Sequence, residues 1–100
     1  MYTSNEDNLN TIPEGFKLGQ NYPNPFNPTT NINYSIDQAG LVTLKVYDIT
    51  GREVATLVNN RENAGDHSVT FDATNLASGV YIYTLQANGL RLTNRMTLIK

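Results

Sequence analysis

Short stretches of alternating apolar and polar residues, separated by turn residues, dominate this chain of 100 residues. Between Asn31 and Ile36, for example, asparagine or serine alternates with isoleucine or tyrosine. A β-strand places successive side chains on opposite faces, so this period of two predicts a strand with one buried face. No window keeps apolar residues at helical spacing over three turns. The pattern therefore predicts an all-β domain.

The predicted strands are Phe16–Leu18, Thr29–Ile36, Leu41–Ile49, Arg52–Asn59, His67–Asp72, Gly79–Ala87 and Leu90–Ile99. Asn88-Gly89 predicts a tight hairpin because both residues tolerate positive φ, and Gly51 is expected to close another turn after Asp48. Asn60–Gly65 is interpreted as a loop. Gly79–Ala87 is apolar on both faces, which is typical of a central strand. Seven short strands in one domain indicate a seven-stranded antiparallel β-sandwich of immunoglobulin-like architecture.

The other segments do not follow this alternation. Residues 1–12 are polar and aperiodic, which predicts a flexible linker or a remnant of the expression vector, and the sandwich is expected over residues 13–100. Asn21–Pro28 contains Pro23, Pro25 and Pro28. Proline cannot donate a ladder hydrogen bond, so this segment is expected to cross the domain as an extended, unpaired chain.

Composition and charge argue against several classes of function. The net charge is −2, and the seven Lys and Arg residues are interpreted as scattered without a basic stripe. Neither nucleic acid nor an anionic membrane is therefore an expected partner, and the domain is expected to be monomeric. Cysteine is absent, so neither a disulfide nor a thiolate metal site can form. No apolar run approaches the length of a transmembrane helix.

Residues that could carry chemistry are few and poorly arranged for it. The single histidine, His67, has no second imidazole or thiol with which to bind a transition metal. No serine lies in a Gly-x-Ser-x-Gly turn, and no glycine-rich loop precedes a helix. Most carboxylates fall at predicted turns, where they usually bond their own backbone. Neither enzymatic activity nor a cofactor is expected, although a calcium site among turn residues stays open.

Aromatic residues leave two alternative functions open. Tyr34, Tyr81 and Tyr83 have the parity of core residues, whereas Tyr22 and Tyr47 are candidates for exposed rings. A pair of exposed rings would suit a carbohydrate-binding module of a polysaccharide-degrading enzyme. A structural or assembly scaffold of immunoglobulin-like fold is the other alternative.

Four motifs follow one another along the chain. They are Tyr22-Pro23-Asn24-Pro25-Phe26-Asn27-Pro28, Val46-Tyr47-Asp48 with Gly51-Arg52-Glu53-Val54, Ala64 to Tyr83 with its Ser78-Gly79-Val80-Tyr81, and Arg95-Met96-Thr97-Leu98-Ile99-Lys100. In this order they resemble the C-terminal sorting domain of the type IX (Por) secretion system. The resemblance runs from about Ile12 to Lys100. Arg95 stands where the terminal signature of that family has Lys.

The resemblance implies a function in protein export. Domains of this family are immunoglobulin-like, are similar to a domain of the flagellar hook-capping protein, and occupy the C-terminus of exported proteins. It implies that the domain directs an upstream cargo protein through the periplasm to the surface of a Gram-negative bacterium, or into the medium. The implied partners are the outer-membrane translocon and the sortase-like machinery of type IX secretion.

Residues for recognition are expected in four parts of the chain. The last strand, with Arg95 and Lys100 projecting, and the surface near Gly51 and Arg52 are expected to carry recognition. The full set of candidates is Pro23, Asn24, Pro25, Gly51, Arg52, Gly79, Tyr81, Arg95, Met96 and Lys100.

Overall fold

The computed structural model describes residues 12–100, so the linker predicted over residues 1–12 lies almost wholly outside the described residues. In the described part the chain forms seven strands: β1 Lys17–Leu18, β2 Thr29–Ile36, β3 Gly40–Asp48, β4 Glu53–Glu62, β5 Gly65–Asp72, β6 Gly79–Ala87 and β7 Leu90–Leu98. Every one of the seven predicted strands is therefore present, with β2 and β6 at the predicted bounds.

The strands form two antiparallel sheets. A three-stranded sheet has the order β1-β2-β5, and a four-stranded sheet has the order β4-β3-β6-β7. The prediction of an all-β antiparallel sandwich is confirmed, and the arrangement is consistent with immunoglobulin-like architecture. Strand β6 lies between β3 and β7, which confirms its central position.

One predicted loop is largely strand. Asn60–Gly65 is predicted to be irregular, but β4 continues to Glu62 because its last residues pair with the start of β3, Val42 opposite Asn60 and Gly40 opposite Glu62. Only Asn63 and Ala64 remain between β4 and β5. These residues are polar, a pattern typical of a loop, but an edge strand tolerates polar side chains on both faces.

The core lies between the two sheets and follows the alternation of the sequence. Ile32, Tyr34 and Ile36 of β2 are buried, while the intervening Asn31 and Asn33 are exposed. Strands β3 and β6 contribute the same pattern, with the buried residues Val42, Leu44, Val46, Tyr81, Tyr83 and Leu85. The opposite face of β6 is more open than its apolar sequence suggests, because the second sheet covers one face only; Val80 and Ile82 are half-buried there.

Both edges of the four-stranded sheet are protected. At β7, the N–H of Phe26 donates to the carbonyl of Thr97 (3.0 Å) and the N–H of Ile99 donates to the carbonyl of Phe26 (2.9 Å). The proline-rich segment thus crosses from β2, where Tyr22 bridges Asn31, to the edge of β7. At β4, two register shifts interrupt the pairing with β3. Such bulges and proline-rich covers discourage edge-to-edge association.

Candidate recognition surfaces

Four segments that are distant in sequence meet at one end of the sandwich, which we call the terminal end: Pro23–Pro28, Asp48–Arg52, Ala73–Ser78 and Leu98–Lys100. The sheet register brings them together, because Asp48 lies opposite Tyr81 and Gly79 lies opposite Leu98. These pairs put the β3–β4 turn, the start of β6 and the end of β7 at the same end of the four-stranded sheet.

The proline-rich segment is fixed at both of its ends. Phe26 is buried and its ring lies 6.0 Å from that of Phe71. At the other end, Asn21 is buried and its side-chain amide donates to the Pro23 carbonyl (3.2 Å) and the Thr30 hydroxyl (3.1 Å). These anchors hold the intervening loop in one place while its side chains face solvent.

The side chain of Asn24 links this loop to the last strand. Its Oδ1 atom accepts a hydrogen bond from the N–H of Thr97 at 3.0 Å. Pro23, Asn24 and Pro25 are all exposed. The structure therefore presents these three predicted residues on a loop that is held against β7.

The β3–β4 turn is organised by one carboxylate. Oδ1 of Asp48 accepts hydrogen bonds from the hydroxyl and the N–H of Thr50 and from the N–H of Arg52, and Oδ2 contacts the Arg52 guanidinium at 3.2 Å. These donors, the Thr50 hydroxyl foremost, lower the pKa of Asp48 to about 2. Gly51 has a φ of +89°, as its predicted role in the turn requires. Arg52 is thereby held in an exposed position beside Asp48.

The last residue is tied to the loop between β5 and β6. The Lys100 N–H donates to the Ser78 hydroxyl at 3.0 Å, and the Lys100 ammonium donates to the Thr74 carbonyl at 2.5 Å. Asp72 is the last residue of β5, directly before this loop. Its pKa is lowered chiefly by the Thr74 hydroxyl, with smaller effects from the Thr74 N–H and the Lys100 charge. Glu53, at the start of β4, also has a lowered pKa, because the Thr56 hydroxyl and then Lys45 favour its ionised form.

The structure separates the predicted recognition residues into three groups. Those exposed at the terminal end are Pro23, Asn24, Pro25, Gly51, Arg52 and Lys100. Arg95 is exposed on the outer face of the four-stranded sheet, opposite Ile82. Tyr81 and Met96 are buried, at 7% and 1% exposure, and Gly79 is half-buried. Burial means that Tyr81 and Met96 cannot contact a partner of the folded domain directly.

Tyr81 instead supports the terminal end from inside. Its hydroxyl donates to the carbonyl of Ala77 at 2.6 Å and so fixes the loop on which Ser78 lies. Neither Asn21 nor Thr97 stands out in the sequence, because a lone asparagine or threonine has no signature. Their roles depend on partners nine and 73 residues away.

The two candidate rings for carbohydrate binding lie on opposite sides of the molecule. Tyr22 is 80% exposed and pairs with Asn31 on the outer face of the three-stranded sheet. Tyr47 is half-buried on the outer face of the four-stranded sheet, opposite Ile82. A sugar chain cannot stack on both rings, so the paired platform on which the carbohydrate-binding alternative depended is not formed.

His67 belongs to a polar cluster between the sheets. Its ring stacks on Tyr34 with centroids 5.3 Å apart, and its Nε2 atom lies 2.8 Å from the Asn63 carbonyl. Glu62 accepts a hydrogen bond from the Tyr34 hydroxyl, and its Oε1 atom lies 3.6 Å from Nδ1 of His67. Burial, followed by the bond to Glu62 and its charge, raises the pKa of Tyr34.

Among residues 12–100, no three His, Asp or Glu side chains lie close enough together to hold a metal ion. The same residues contain no helix with the length and apolar character needed to cross a membrane.

The basic residues are scattered along the sequence but are unevenly distributed over the folded surface. Because β3, β4 and β7 project alternate residues outward, four of the seven cations share the outer face of the four-stranded sheet with one carboxylate: Lys45, Arg61, Arg91, Arg95 and Glu53. This face, which we call the basic face, has a formal charge of +3. The rest of the described residues contain three cations and six carboxylates, and so have a negative formal charge. Folding thus segregates charge that looks evenly spread along the chain.

A family described as "Secretion system C-terminal sorting domain" matches residues 20–100, a range that contains all four segments of the terminal end. No curated protein sequence matches the chain.

A solved structure with a similar fold is PorZ, described as an essential bacterial surface component of the type-IX secretion system of human oral-microbiomic Porphyromonas gingivalis. The two chains are 23% identical, with a TM-score of 0.52 over 87% of this chain. The match spans only 12% of the PorZ chain, and at this identity it supports the fold alone.

Proposed function

This chain belongs to the family of secretion system C-terminal sorting domains, and we propose that the terminal end is the surface by which the type IX machinery recognises it. Domains of this family mark exported proteins for sorting, and they are in general non-catalytic. The expected destination is the cell surface or the medium. In this proposal the chain delivers a passenger protein joined before its first residue.

The observation that carries the proposal is the convergence of the motifs. The proline-rich segment, the β3–β4 turn, the β5–β6 loop and the last residues each contain a stretch that resembles the sorting family. They come from positions as far apart as Asn24 and Thr97, which are joined by a hydrogen bond. A partner that contacts all four would bind the folded domain and reject the unfolded one, because the surface exists only after folding.

Each predicted residue has a part in this proposal. Pro23, Asn24 and Pro25 form a fixed loop with little conformational entropy to lose on binding. Arg52 and Lys100 supply exposed positive charge, and Gly51 sets the geometry of the turn that positions Arg52. Further contacts are assigned to Arg95, on the neighbouring face. In this proposal Gly79, Tyr81 and Met96 support the exposed residues of the terminal end from inside the domain.

The finer parts of the function extend this proposal. We assign the outer-membrane translocon and the sortase-like machinery as partners, and a route through the periplasm. Residues 13–100 are proposed to act as one monomeric unit, with residues 1–12 as the linker to the passenger. Recognition by shape and charge needs no cofactor.

A reporter assay tests the proposal. The full chain is fused behind a periplasmic reporter in a bacterium that has type IX secretion, and in a matched strain without it. The wild-type fusion is expected to reach the surface or the medium only in the first strain. Arg52→Glu combined with Lys100→Glu is expected to leave most of the reporter in the periplasm.

The matched control is Lys17→Glu, which reverses an exposed charge away from the terminal end. Its fusion should be delivered as the wild type is, and the melting temperature of every variant should be measured beforehand. Normal delivery of the Arg52 and Lys100 variant would refute the assignment of the surface. Retention of the wild-type fusion in the competent strain would refute sorting by this chain.

A further inference from the structure

Apart from Arg95, the cations of the basic face have no part in the proposed recognition by the terminal end. Of these cations, Lys45 is paired with Glu53 at 3.5 Å. Arg61 lies on β4 opposite Leu41, and Arg91 lies on β7 opposite Gln86, so these two arginines flank the sheet from its two edges. Arg95 follows Arg91 on the same face of β7, about 13 Å further along the strand.

Apolar side chains lie beside these charges, most of them next to Arg95. Tyr47 and Ile82 are half-buried neighbours on β3 and β6, and Val80 is half-buried beside them. Leu41, near Arg61, is 55% exposed. Arginine and tyrosine are both enriched at protein interfaces, and here Arg95, Ile82 and Tyr47 lie side by side on neighbouring strands.

We propose that the basic face is a docking surface for an acidic segment of another protein. The inference goes beyond the sorting function, because it concerns a different surface from the terminal end. Charge complementarity identifies the occupant: a face with a formal charge of +3, on a chain with a net charge of −2, attracts negative groups at short range. Carboxylate side chains would pair with the arginines, and an apolar residue next to the one that pairs with Arg95 would cover Ile82 and Tyr47.

A protein segment suits this face better than nucleic acid or a lipid surface. Duplex DNA carries one charge per roughly 1.7 Å of its axis, far denser than arginines spread over a whole sheet. The acidic remainder of the domain would also be repelled by an extended anionic surface, whereas a short peptide can avoid it.

The experiment uses the full chain labelled with ¹⁵N and a short synthetic peptide of Glu and Asp around one Phe. A peptide of the same length with Gln and Asn in place of the acids is the control probe. Addition of the acidic peptide is expected to shift the amide signals of β3, β6 and β7, with little change at β2 and β5. Raising the salt from about 0.05 M to about 0.3 M should weaken binding severalfold.

Charge reversal gives the decisive comparison. Arg91→Glu is expected to weaken binding of the acidic peptide about fivefold, and the addition of Arg61→Glu about twofold to fivefold more. Lys17→Glu makes the same change in net charge on the outer face of the other sheet, and should alter affinity less than about twofold. These side chains are exposed, so the variants are expected to fold, and their amide spectra verify this directly.

Three results would overturn the proposal. The first is no shift of the signals of the basic face, or equal binding of the Gln and Asn peptide. The second is equal loss of affinity in Arg91→Glu and Lys17→Glu. The third is tighter binding of a short single-stranded DNA, or of vesicles containing phosphatidylglycerol, than of the peptide. Delivery of a reporter is a separate measurement, so none of these results decides the sorting function.

Discussion

The terminal end is held by hydrogen bonds between segments far apart in the chain, whereas the opposite end is closed mainly by short turns between consecutive strands. We call the latter the hairpin end; it contains Asp37–Ala39, Asn63–Ala64 and Asn88–Gly89. At the terminal end, the loop at Asn24 and Phe26 bonds to β7 and Lys100 bonds to the β5–β6 loop. At the hairpin end, Asn88 and Gly89 have φ of +54° and +79° and make the predicted tight turn.

Contacts between the sheets also differ at the two ends. The hairpin end has the cluster of Tyr34, Glu62 and His67, in which Glu62 of one sheet accepts a hydrogen bond from Tyr34 of the other. The amide of Asn88 also donates to the Gln38 carbonyl at 2.9 Å. These contacts stabilise the fold without gathering the motifs that resemble the sorting family.

This difference predicts that substitutions at the two ends have different effects on stability and on recognition. Local turns can form in a partly folded chain, but the terminal end requires the first and last segments of the domain to meet. A change at either end should therefore lower the free energy of unfolding, while only changes at the terminal end should also reduce sorting.

Phe26→Ala should have the largest effect. The ring is 2% exposed, and its loss should lower the free energy of unfolding by about 3–5 kcal/mol, measured by denaturant unfolding. Ile36→Ala, which removes a 1% exposed side chain near the hairpin end, should cost about 2–5 kcal/mol. When both variants are compared at a temperature where they are folded, reporter delivery should fall more for Phe26→Ala. Equal delivery would erase the distinction between the two ends.

Gly51 and Gly89 allow a more closely matched comparison of the two ends. Gly51 and Gly89 have φ of +89° and +79°, and a Cβ added to either would meet no atom within 4 Å. Alanine at each position should therefore cost about 1–2 kcal/mol through backbone strain alone, measured by thermal unfolding. Delivery should fall only for Gly51→Ala, because its turn positions Arg52. If Gly89→Ala impaired delivery as much, stability rather than geometry would explain both.

Asn24→Ala should have a smaller effect. It removes the acceptor for the Thr97 N–H and should lower the free energy of unfolding by about 1 kcal/mol. Hydrogen exchange at the Thr97 amide should accelerate, while the amides of the β6–β7 turn stay protected as in the wild type. Asn33→Ala, at an exposed position on β2, is the matched control. Unchanged exchange at Thr97 would show that the loop is held by Phe26 alone.

The smallest effect is a difference in pH dependence. The lowered pKa values of Asp48, Glu53 and Asp72 mean that these carboxylates stabilise the folded domain above their unfolded pKa values, near 4, and lose this contribution as the pH falls through their lowered folded values. The raised pKa of Tyr34 means that its contribution is complete below pH 10 and is lost only as the pH rises further. As the pH falls, the hydrogen-exchange protection factors should therefore decrease first at the terminal end. An earlier loss of protection at the hairpin end as the pH falls would contradict this assignment.

Local chemistry explains which predictions from the sequence were successful. The strands and their buried faces follow from an alternation that neighbouring residues define, as in Ile32, Tyr34 and Ile36. The turns at Gly51 and Asn88-Gly89 follow from tolerance of positive φ. The loop predicted at Asn60–Gly65 failed because pairing with β3, a contact across the sheet, extends β4.

The sequence by itself determined the fold class, the strands, the tight turns and, through motifs in order, membership of a sorting family. Tertiary structure alone decided which candidates face solvent, since Tyr81 and Met96 are buried while Arg52 and Lys100 are exposed. It also decided that the motifs share one end and that four cations share one face. The physical reason is distance along the chain: side-chain alternation and turn geometry are local, whereas sheet order and register join residues that the sequence keeps far apart.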